Sequence, residues 1–137
     1  MIRTMACTGA AISTLTLLVL AACDPVEQVN SRELYLANCA ACHGPDGKGD
    51  GPLAAGLEPR PADLTQIARR NGGTFDYEAV MTVIDGYKAP ERNMPRFSDM
   101  LAQGDYMYFD SGDGKLTPTP VALVALAAYL ETLQTEE

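Results

Sequence analysis

Histidine and cysteine, the residues that most often carry metals and redox chemistry, are scarce in this chain of 137 residues, and tryptophan is absent. There is one histidine and there are four cysteines. Basic residues are also few, ten against 18 acidic ones, which gives a formal net charge of −8. This acidic excess disfavours nucleic-acid binding, which depends on lysine and arginine at the phosphates. It suits a solvated surface or a protein partner with a basic docking face.

The first 22 residues have the composition of a secretory signal peptide. Arg3 is the only charged residue before Asp24, and residues 10–20 form an apolar segment. That segment is shorter than the roughly 20 residues that a spanning helix needs. A charged start, a short apolar stretch and small residues at its end are typical of a cleaved signal. We therefore expect residues 1–22 to be removed, which leaves the chain one charge more acidic.

The end of this segment, Leu20-Ala-Ala-Cys23, resembles the signal of bacterial lipoproteins. In that class the cysteine is lipidated and becomes the first residue of the mature protein. The resemblance implies lipid on Cys23, a tether over residues 23–30 and a folded domain over residues 31–137. It also implies a position on the periplasmic side of the bacterial inner membrane. An ordinary Ala-x-Ala-type cleavage near the same point is the alternative.

The folded domain therefore contains a single pair of cysteines. Cys7 lies in the signal and Cys23 would carry lipid, so only Cys39 and Cys42 remain. An exported protein meets an oxidising compartment, where a spare thiol pair would form a disulfide. The chemistry of this pair must therefore be inferred from the residues around it.

Cys39-Ala-Ala-Cys42-His43 is the most specific motif in the chain. Two thiols at this spacing can bond two vinyl-derived carbons on one edge of a haem, and the adjacent histidine can ligate the iron from the same side. This is the attachment pattern of c-type haem. A thioredoxin-like dithiol would need a βαβ context, and a structural zinc site would need a second ligand pair. Neither is visible, so we predict one covalent haem c per chain.

The second axial ligand of the iron cannot be another histidine, and methionine, which raises the reduction potential, is the next candidate. The mature chain contains Met81, Met94, Met100 and Met107. Met81 falls in a predicted helix, which favours a packing role, and Met107 lies in a hairpin-like stretch. Met94 stands in a loop before Pro95, whose ring stiffens the backbone. We predict Met94 as the ligand, with Met100 as the second choice.

Capping and turn residues divide the domain into short helices and one extended excursion. Ser31 is a candidate N-cap, residues 44–61 have the composition of a loop, and Gly86 is expected to end a helix over 77–85. Residues 105–117 predict a small hairpin. The other expected segments are a helix over 32–38, a short helix over 62–70, a loop over 87–96, a helical turn over 97–101 and a last helix over 121–132.

Together these features resemble the class I c-type cytochromes. The residues that carry the resemblance are the attachment motif, Tyr35, Gly49-Asp-Gly-Pro52, Pro61-Ala-Asp-Leu64, Met94-Pro95-Arg-Phe97 and Leu126-Ala-Ala-Tyr129-Leu130. The resemblance implies an all-α fold wrapped around one haem, in which the first and last helices cross. It also implies that Tyr35 packs against Leu126 and Tyr129. Ser31 replaces the usual glycine at the crossing, which allows a less intimate contact.

The same resemblance implies roles for residues around the haem. In the family a proline carbonyl accepts the proton on the far nitrogen of the haem histidine, and we assign that role to Pro52, with Pro61 as the alternative. Arg60 is a candidate partner of a haem propionate, and an exposed loop arginine is an equally good interpretation. Residues that flank the methionine loop and could also reach the propionates are Tyr87, Arg92 and Arg96.

Residues 102–117 lengthen the link before the last helix relative to the family. The spaced aspartates and glycines faintly resemble a calcium loop, but they lack the glutamate and the full ligand set of an EF-hand. A hairpin turn is the favoured interpretation. The aromatic residues over 106–109 could cover a haem edge or dock a partner.

The expected function is electron transfer rather than catalysis, since a methionine on the iron leaves no site for a small-molecule substrate. A carrier anchored at the periplasmic membrane face would shuttle single electrons between redox proteins such as a reductase, an oxidase or a dehydrogenase. A fixed haem subunit of a larger oxidase, reductase or dehydrogenase complex is the alternative. A third hypothesis is a peroxidase or gas sensor with an open iron site, and the presence of Met94 argues against it.

Overall fold

Six helices and one two-stranded sheet make up the regular structure that the computed structural model describes, over residues 29–87 and 94–135. The signal segment, Cys23 and Arg92 lie outside those residues. The helices are α1 (Ser31–Asn38), α2 (Ala40–His43), α3 (Ile67–Arg70), α4 (Tyr77–Asp85), α5 (Ser98–Leu101) and α6 (Val121–Thr132). Single 3₁₀ turns occupy Ala54–Gly56 and Leu64–Gln66, and the strands are β1 (Tyr106–Phe109) and β2 (Thr117–Pro120).

Helix α6 is the centre of the core. It is apolar almost all round, and such a helix needs neighbours on every side. Helices α1, α4 and α5 and both strands contact it. The side chains that it buries are Val121, Leu123, Val124, Ala125, Leu126, Ala127 and Leu130. Helices α1, α4 and α5 and the hairpin are therefore arranged around this helix.

Tyr35 joins the first helix to the last. It is the largest fully buried side chain among the described residues, and its ring centroid lies 5.2 Å from that of Tyr129 on α6. Its hydroxyl donates a hydrogen bond of 2.7 Å to the carbonyl of Gly44, directly after the haem motif. Burial raises the pKa of Tyr35 well above its ordinary value, so the hydroxyl stays protonated as a donor.

Side-chain caps mark the starts of α1 and α4, and the cap of α1 corrects the prediction. The side chain of Asn30, not Ser31, caps α1 by accepting a hydrogen bond from the Glu33 backbone N–H. Asp76 caps α4 through the N–H of Ala79, and Gly86 ends that helix with φ of +83°, a conformation that favours glycine. The predicted helix over 77–85 is confirmed. Within residues 29–87 and 94–135, no helix is long and apolar enough to span a bilayer.

The predicted hairpin is confirmed as an antiparallel pair in which Tyr106 lies opposite Pro120 and Phe109 opposite Thr117. Its turn is stabilised by the Asp110 carboxylate, which accepts hydrogen bonds from the N–H groups of Gly112 and Gly114. In the part of the chain that the structure describes, no group of three or more acidic, cysteine or histidine side chains could hold a metal ion. The hairpin turn is thus favoured over a calcium loop.

The link from Tyr35 to Gly44 predicts the behaviour of two tyrosine variants. Replacing Tyr35 with phenylalanine removes one buried hydrogen bond and should lower the free energy of unfolding by about 1 kcal/mol. Tyr129→Phe is the matched control, since no hydrogen bond of its hydroxyl is seen among the described residues, and it should be nearly neutral. Urea denaturation of the two haem-loaded variants measures the difference, and equal losses would contradict the role given to the Tyr35 hydroxyl.

Candidate functional site

A break between two helices presents the motif side chains together. Helix α1 ends at Asn38, Cys39 adopts φ of −119°, and the single turn of α2 carries Cys42 and His43 before Gly44 ends it. The N–H of His43 donates to the Cys39 carbonyl at 2.9 Å, which holds the five residues in one compact turn. Both cysteines are free thiols, and all three reactive side chains line the same cavity.

That cavity has a volume of about 460 Å³, which lies in the range of sites that hold cofactor-sized molecules. Its walls are mainly aliphatic. The aliphatic lining comes from Leu64, Ile67, Val80, Val83, Ile84, Leu126 and Leu130. An apolar slot with two thiols and one imidazole on a single wall suits a flat, largely hydrophobic group that is bonded at one edge and ligated through its centre.

The His43 ring is oriented by a backbone carbonyl. Its Nδ1 lies 3.0 Å from the carbonyl oxygen of Ala62. When Nδ1 carries the proton and donates this bond, Nε2 is left with its lone pair for a metal, and the bond fixes the ring and makes the ligand more basic. No other described residue hydrogen-bonds to the ring.

The carbonyl that accepts this hydrogen bond belongs to Ala62, so the prediction of Pro52 for that role is wrong. Pro52 is exposed and does not line the cavity, whereas Pro61, the alternative, lines it directly before Ala62. The physical reason is the path of the loop. The N–H groups of Gly49 and Gly51 donate to the carbonyls of His43 and Cys42, so this part of the loop lies along the motif backbone, and only the returning chain reaches the ring.

Glycine is required where the loop lies against the motif. A Cβ at Gly51 would stand 2.5 Å from the carbonyl oxygens of both Ala40 and Ala41. A Cβ at Gly49 would collide with the Pro61 carbonyl oxygen, and Gly49 also has φ of +75°. The composition of the segment predicted a loop, and these contacts explain why its glycines stand where they do.

Met94 is the one methionine of the described residues that lines the cavity. Met81 is buried in the core, Met107 packs against the core from β1, and Met100 is 37% exposed. The N–H of Phe97 donates to the Ile84 carbonyl at 3.3 Å, which fastens the chain after Met94 to the end of α4. The placement agrees with Met94, rather than Met100, as the candidate ligand.

Two arginines line the cavity, and the sequence pointed to only one of them. Arg60 is the arginine predicted as a partner of a haem propionate. Arg70 was not predicted, because it lies on α3, ten residues after Arg60. Arg70 donates a hydrogen bond of 2.8 Å to the Asp63 carbonyl. The Thr65 hydroxyl, with a smaller contribution from Arg70, holds the pKa of Asp63 below its ordinary value. Neither Tyr87 nor Arg96 lines the cavity.

A clamp near the end of the chain holds the cavity segment that follows Ala62. The Gln134 side chain donates to the carbonyl of Leu64 at 2.8 Å and accepts from the N–H of Ala68 at 2.9 Å. The Thr135 N–H donates to the Thr65 carbonyl at 3.1 Å. No sequence pattern predicted this clamp, because its partners are separated by about 70 positions.

Burial acts on the first cysteine of the pair. It raises the pKa of the Cys39 thiol to about 11, with a further contribution from the neighbouring Cys42. Before haem is attached, the thiol is accordingly protonated at neutral pH and behaves as an apolar part of the cavity wall.

Comparison with known proteins agrees with this geometry. Residues 29–134 match the family model for cytochrome c, so the chain belongs to the cytochrome c family. It is an electron-transfer haem protein with covalently bound haem c, and the predicted all-α class I fold and its cofactor are confirmed. No curated protein and no solved structure gives a significant match.

Substitution of Gly51 tests the close contact between the loop and the motif. A methyl group there meets two backbone oxygens that cannot move without distorting α2, so Gly51→Ala should cost about 1–3 kcal/mol of unfolding free energy. Gly56→Ala is the matched control, because a Cβ at Gly56 has no atom within 4 Å. It should change stability by less than about 0.5 kcal/mol. Denaturant titration of both haem-loaded variants decides the point, and a neutral Gly51→Ala would contradict the contact.

Proposed function

We propose that this cytochrome is a single-electron carrier whose iron is ligated by His43 and Met94 and which makes no bonds to substrates. The observation that carries the proposal is that both side chains line one apolar cavity. Haem c supplies a one-electron ferric–ferrous couple when bound. His43 and Met94 would both hold the iron, and a site filled in this way would transfer electrons rather than activate a ligand.

Each residue of the site has a defined task in this proposal. Cys39 and Cys42 would hold the group through two thioether bonds, and His43 would supply Nε2 as a ligand. The Ala62 carbonyl keeps the proton on Nδ1, so the ligand stays in one tautomer in both oxidation states. The aliphatic walls would limit the access of water, and Arg60 and Arg70, which both line the cavity, would offer positive charge to the haem propionates.

Partner proteins are proposed to approach the side of the motif. Ala41, between the two cysteines, is exposed, and the Leu53 N–H donates to its carbonyl at 2.9 Å. The Leu53 side chain is itself an exposed large apolar residue. A small uncharged surface beside the thioether edge brings the electron path close to a reductase, oxidase or dehydrogenase, and the acidic remainder of the surface suits a basic partner.

The proposed ligand is tested by replacing two methionines. Met94→Ala should abolish the weak long-wavelength absorption band that methionine–iron bonding gives a ferric cytochrome. It should also lower the reduction potential, because the thioether favours the ferrous state. Met100→Ala is the control and should keep both properties. Loss of the band in Met100→Ala, with retention in Met94→Ala, would refute the assignment.

We further propose that the protein is a lipoprotein held by lipid on Cys23 at the periplasmic face of the bacterial inner membrane. The resemblance of Leu20-Ala-Ala-Cys23 to a lipoprotein signal supports this. A tether of a few residues keeps the haem domain near membrane partners and raises its effective concentration there.

Replacement of Cys23 tests the anchor. Cys23→Ser should remove the lipid from the haem-containing protein, because the acceptor thiol is gone. Cys7→Ser is the control and should leave the lipid in place. Mass spectrometry of the purified proteins measures the mass added at residue 23, and an unsubstituted protein that carries no lipid on Cys23 would contradict the proposal.

A fixed haem subunit of a larger oxidase, reductase or dehydrogenase complex is the second candidate function. The exposed aromatic side chains of Tyr106 and Tyr108 favour it, because exposed apolar surface often marks an interface. Purification in mild detergent separates the two candidates: a carrier elutes alone, whereas a fixed subunit elutes with a partner in constant ratio.

A further inference from the structure

The two edges of the hairpin differ in their capacity to pair. Pro118 lies opposite Tyr108, and Pro120 lies opposite Tyr106. Since proline has no N–H, it occupies positions whose N–H would point away from the neighbouring strand. The N–H of Val121 donates to the Asp105 carbonyl at 2.9 Å, so Val121 directs its backbone groups toward β1. Because these directions alternate along a strand, those of Pro120 and Pro118 point away from β1. The outer edge of β2 therefore offers no N–H donor at its two prolines.

The outer edge of β1 is open by the same alternation. The backbone N–H and carbonyl groups of Tyr106 and Tyr108 point away from β2. Over residues 29–87 and 94–135, neither makes a backbone hydrogen bond to another segment. Proteins usually block such an edge, because it accepts an added strand. Here one edge is blocked by two prolines and the other is not.

The side chains on the open strand are also exposed. Met107 and Phe109 face inward, and the Phe109 ring centroid lies 5.5 Å from that of Tyr77. Tyr106 is 55% exposed and Tyr108 is 70% exposed. Because both rings are largely exposed, packing within the domain does not explain why β1 carries them. No described residue of the hairpin lines the haem cavity, so the aromatic run does not cover the haem, as one interpretation of the sequence had suggested.

The charges at the ends of β1 indicate what the edge binds. Asp105 and Asp110 flank the strand. Asp113 is paired with Lys115 at 3.4 Å, which leaves the two flanking aspartates without a nearby lysine or arginine partner among the described residues. Antiparallel pairing with a second copy would bring Asp105 of each chain near Asp110 of the other. Like charges at both ends disfavour a homodimer, and a segment with a basic residue at each end is favoured.

We propose that the open edge of β1 binds an extended segment of another protein, with basic residues near Asp105 and Asp110 and with backbone hydrogen bonds to Tyr106 and Tyr108. This is the strand-addition mode of peptide recognition. The proposal goes beyond electron transfer, because the edge is separate from the haem site. It would leave the motif side of the domain free for the electron path.

The experiment uses the haem-loaded full-length protein in detergent and an extended peptide of alternating valine and threonine with an arginine at each end. Amide hydrogen exchange and chemical shifts, followed by NMR in the ferrous state, report on β1. The peptide should slow exchange at Tyr106 and Tyr108. A peptide with a glutamate at each end should bind at least about tenfold more weakly, since both of its ends meet like charges.

Two variants at one position separate the backbone from the side chain. Tyr108→Pro and Tyr108→Thr both lose the ring, but only the proline lacks the N–H. Binding of the arginine peptide should be about tenfold weaker to Tyr108→Pro than to Tyr108→Thr, which corresponds to one lost hydrogen bond. Unchanged chemical shifts at Thr117 and Thr119, which pair with β1, show that the hairpin of each variant is folded. For charge, Asp105→Asn should weaken binding, whereas Asp46→Asn, on the loop after His43, should not.

Four outcomes would overturn the proposal. Equal binding of the two peptides would remove the role of the aspartates, and equal binding to the Pro and Thr variants would remove that of the backbone edge. Self-association that Tyr108→Pro abolishes would assign the edge to a second copy of this chain. Protection of Tyr106 and Tyr108 on transfer to lipid nanodiscs, without peptide, would assign it to the membrane. None of these readouts uses electron transfer, so the carrier proposal is tested separately.

Discussion

The hydrogen bond between His43 Nδ1 and the Ala62 carbonyl is the interaction on which the arrangement of the site depends. The motif can present a thiol pair and an imidazole from one turn, but that turn alone does not orient the ring. Orientation requires a backbone acceptor brought from 19 positions further along the chain. The loop over 44–61 leads the chain from the motif back to the His43 ring, and its glycines allow the backbone to lie against the motif. The Gln134 clamp then holds the segment after Ala62 against the last helix.

The same bond connects the fold to the electronic role of the protein. Tyr35 joins α1 to α6 and donates to Gly44, so the core and the motif share one buried side chain. Helices α4 and α6 supply most of the aliphatic walls, and the Ile84 carbonyl on α4 also accepts a hydrogen bond from the chain that follows Met94. Contacts of this kind would keep the proposed ligands His43 and Met94 in place in both oxidation states, and a small structural change is what fast one-electron transfer requires. The hairpin stands outside this arrangement, with one blocked edge and one open edge.

Local features of the sequence predicted local features of the structure. The contiguous Cys39–His43 motif, the Asp76 and Gly86 boundaries of α4, and the hairpin over 105–117 could all be recognised, because each depends on residues near one another in sequence. The Ala62 acceptor could not be identified, since a backbone carbonyl has no side-chain signature. Arg70 and Gln134 were missed because their contacts depend on how distant segments pack. The cap of α1 was misplaced by one residue, because Asn30 and Ser31 are both good caps.

In the haem-loaded protein we expect the Ala62 carbonyl to hold the proton of His43 Nδ1. The most direct measurement is NMR of the ferrous protein labelled with ¹⁵N and ¹³C, which detects scalar coupling through a hydrogen bond. We expect a slowly exchanging Nδ1 proton whose nitrogen couples to the carbonyl carbon of Ala62. A coupling to the carbonyl of Pro52 or Pro61, or a proton that exchanges freely with water, would contradict it.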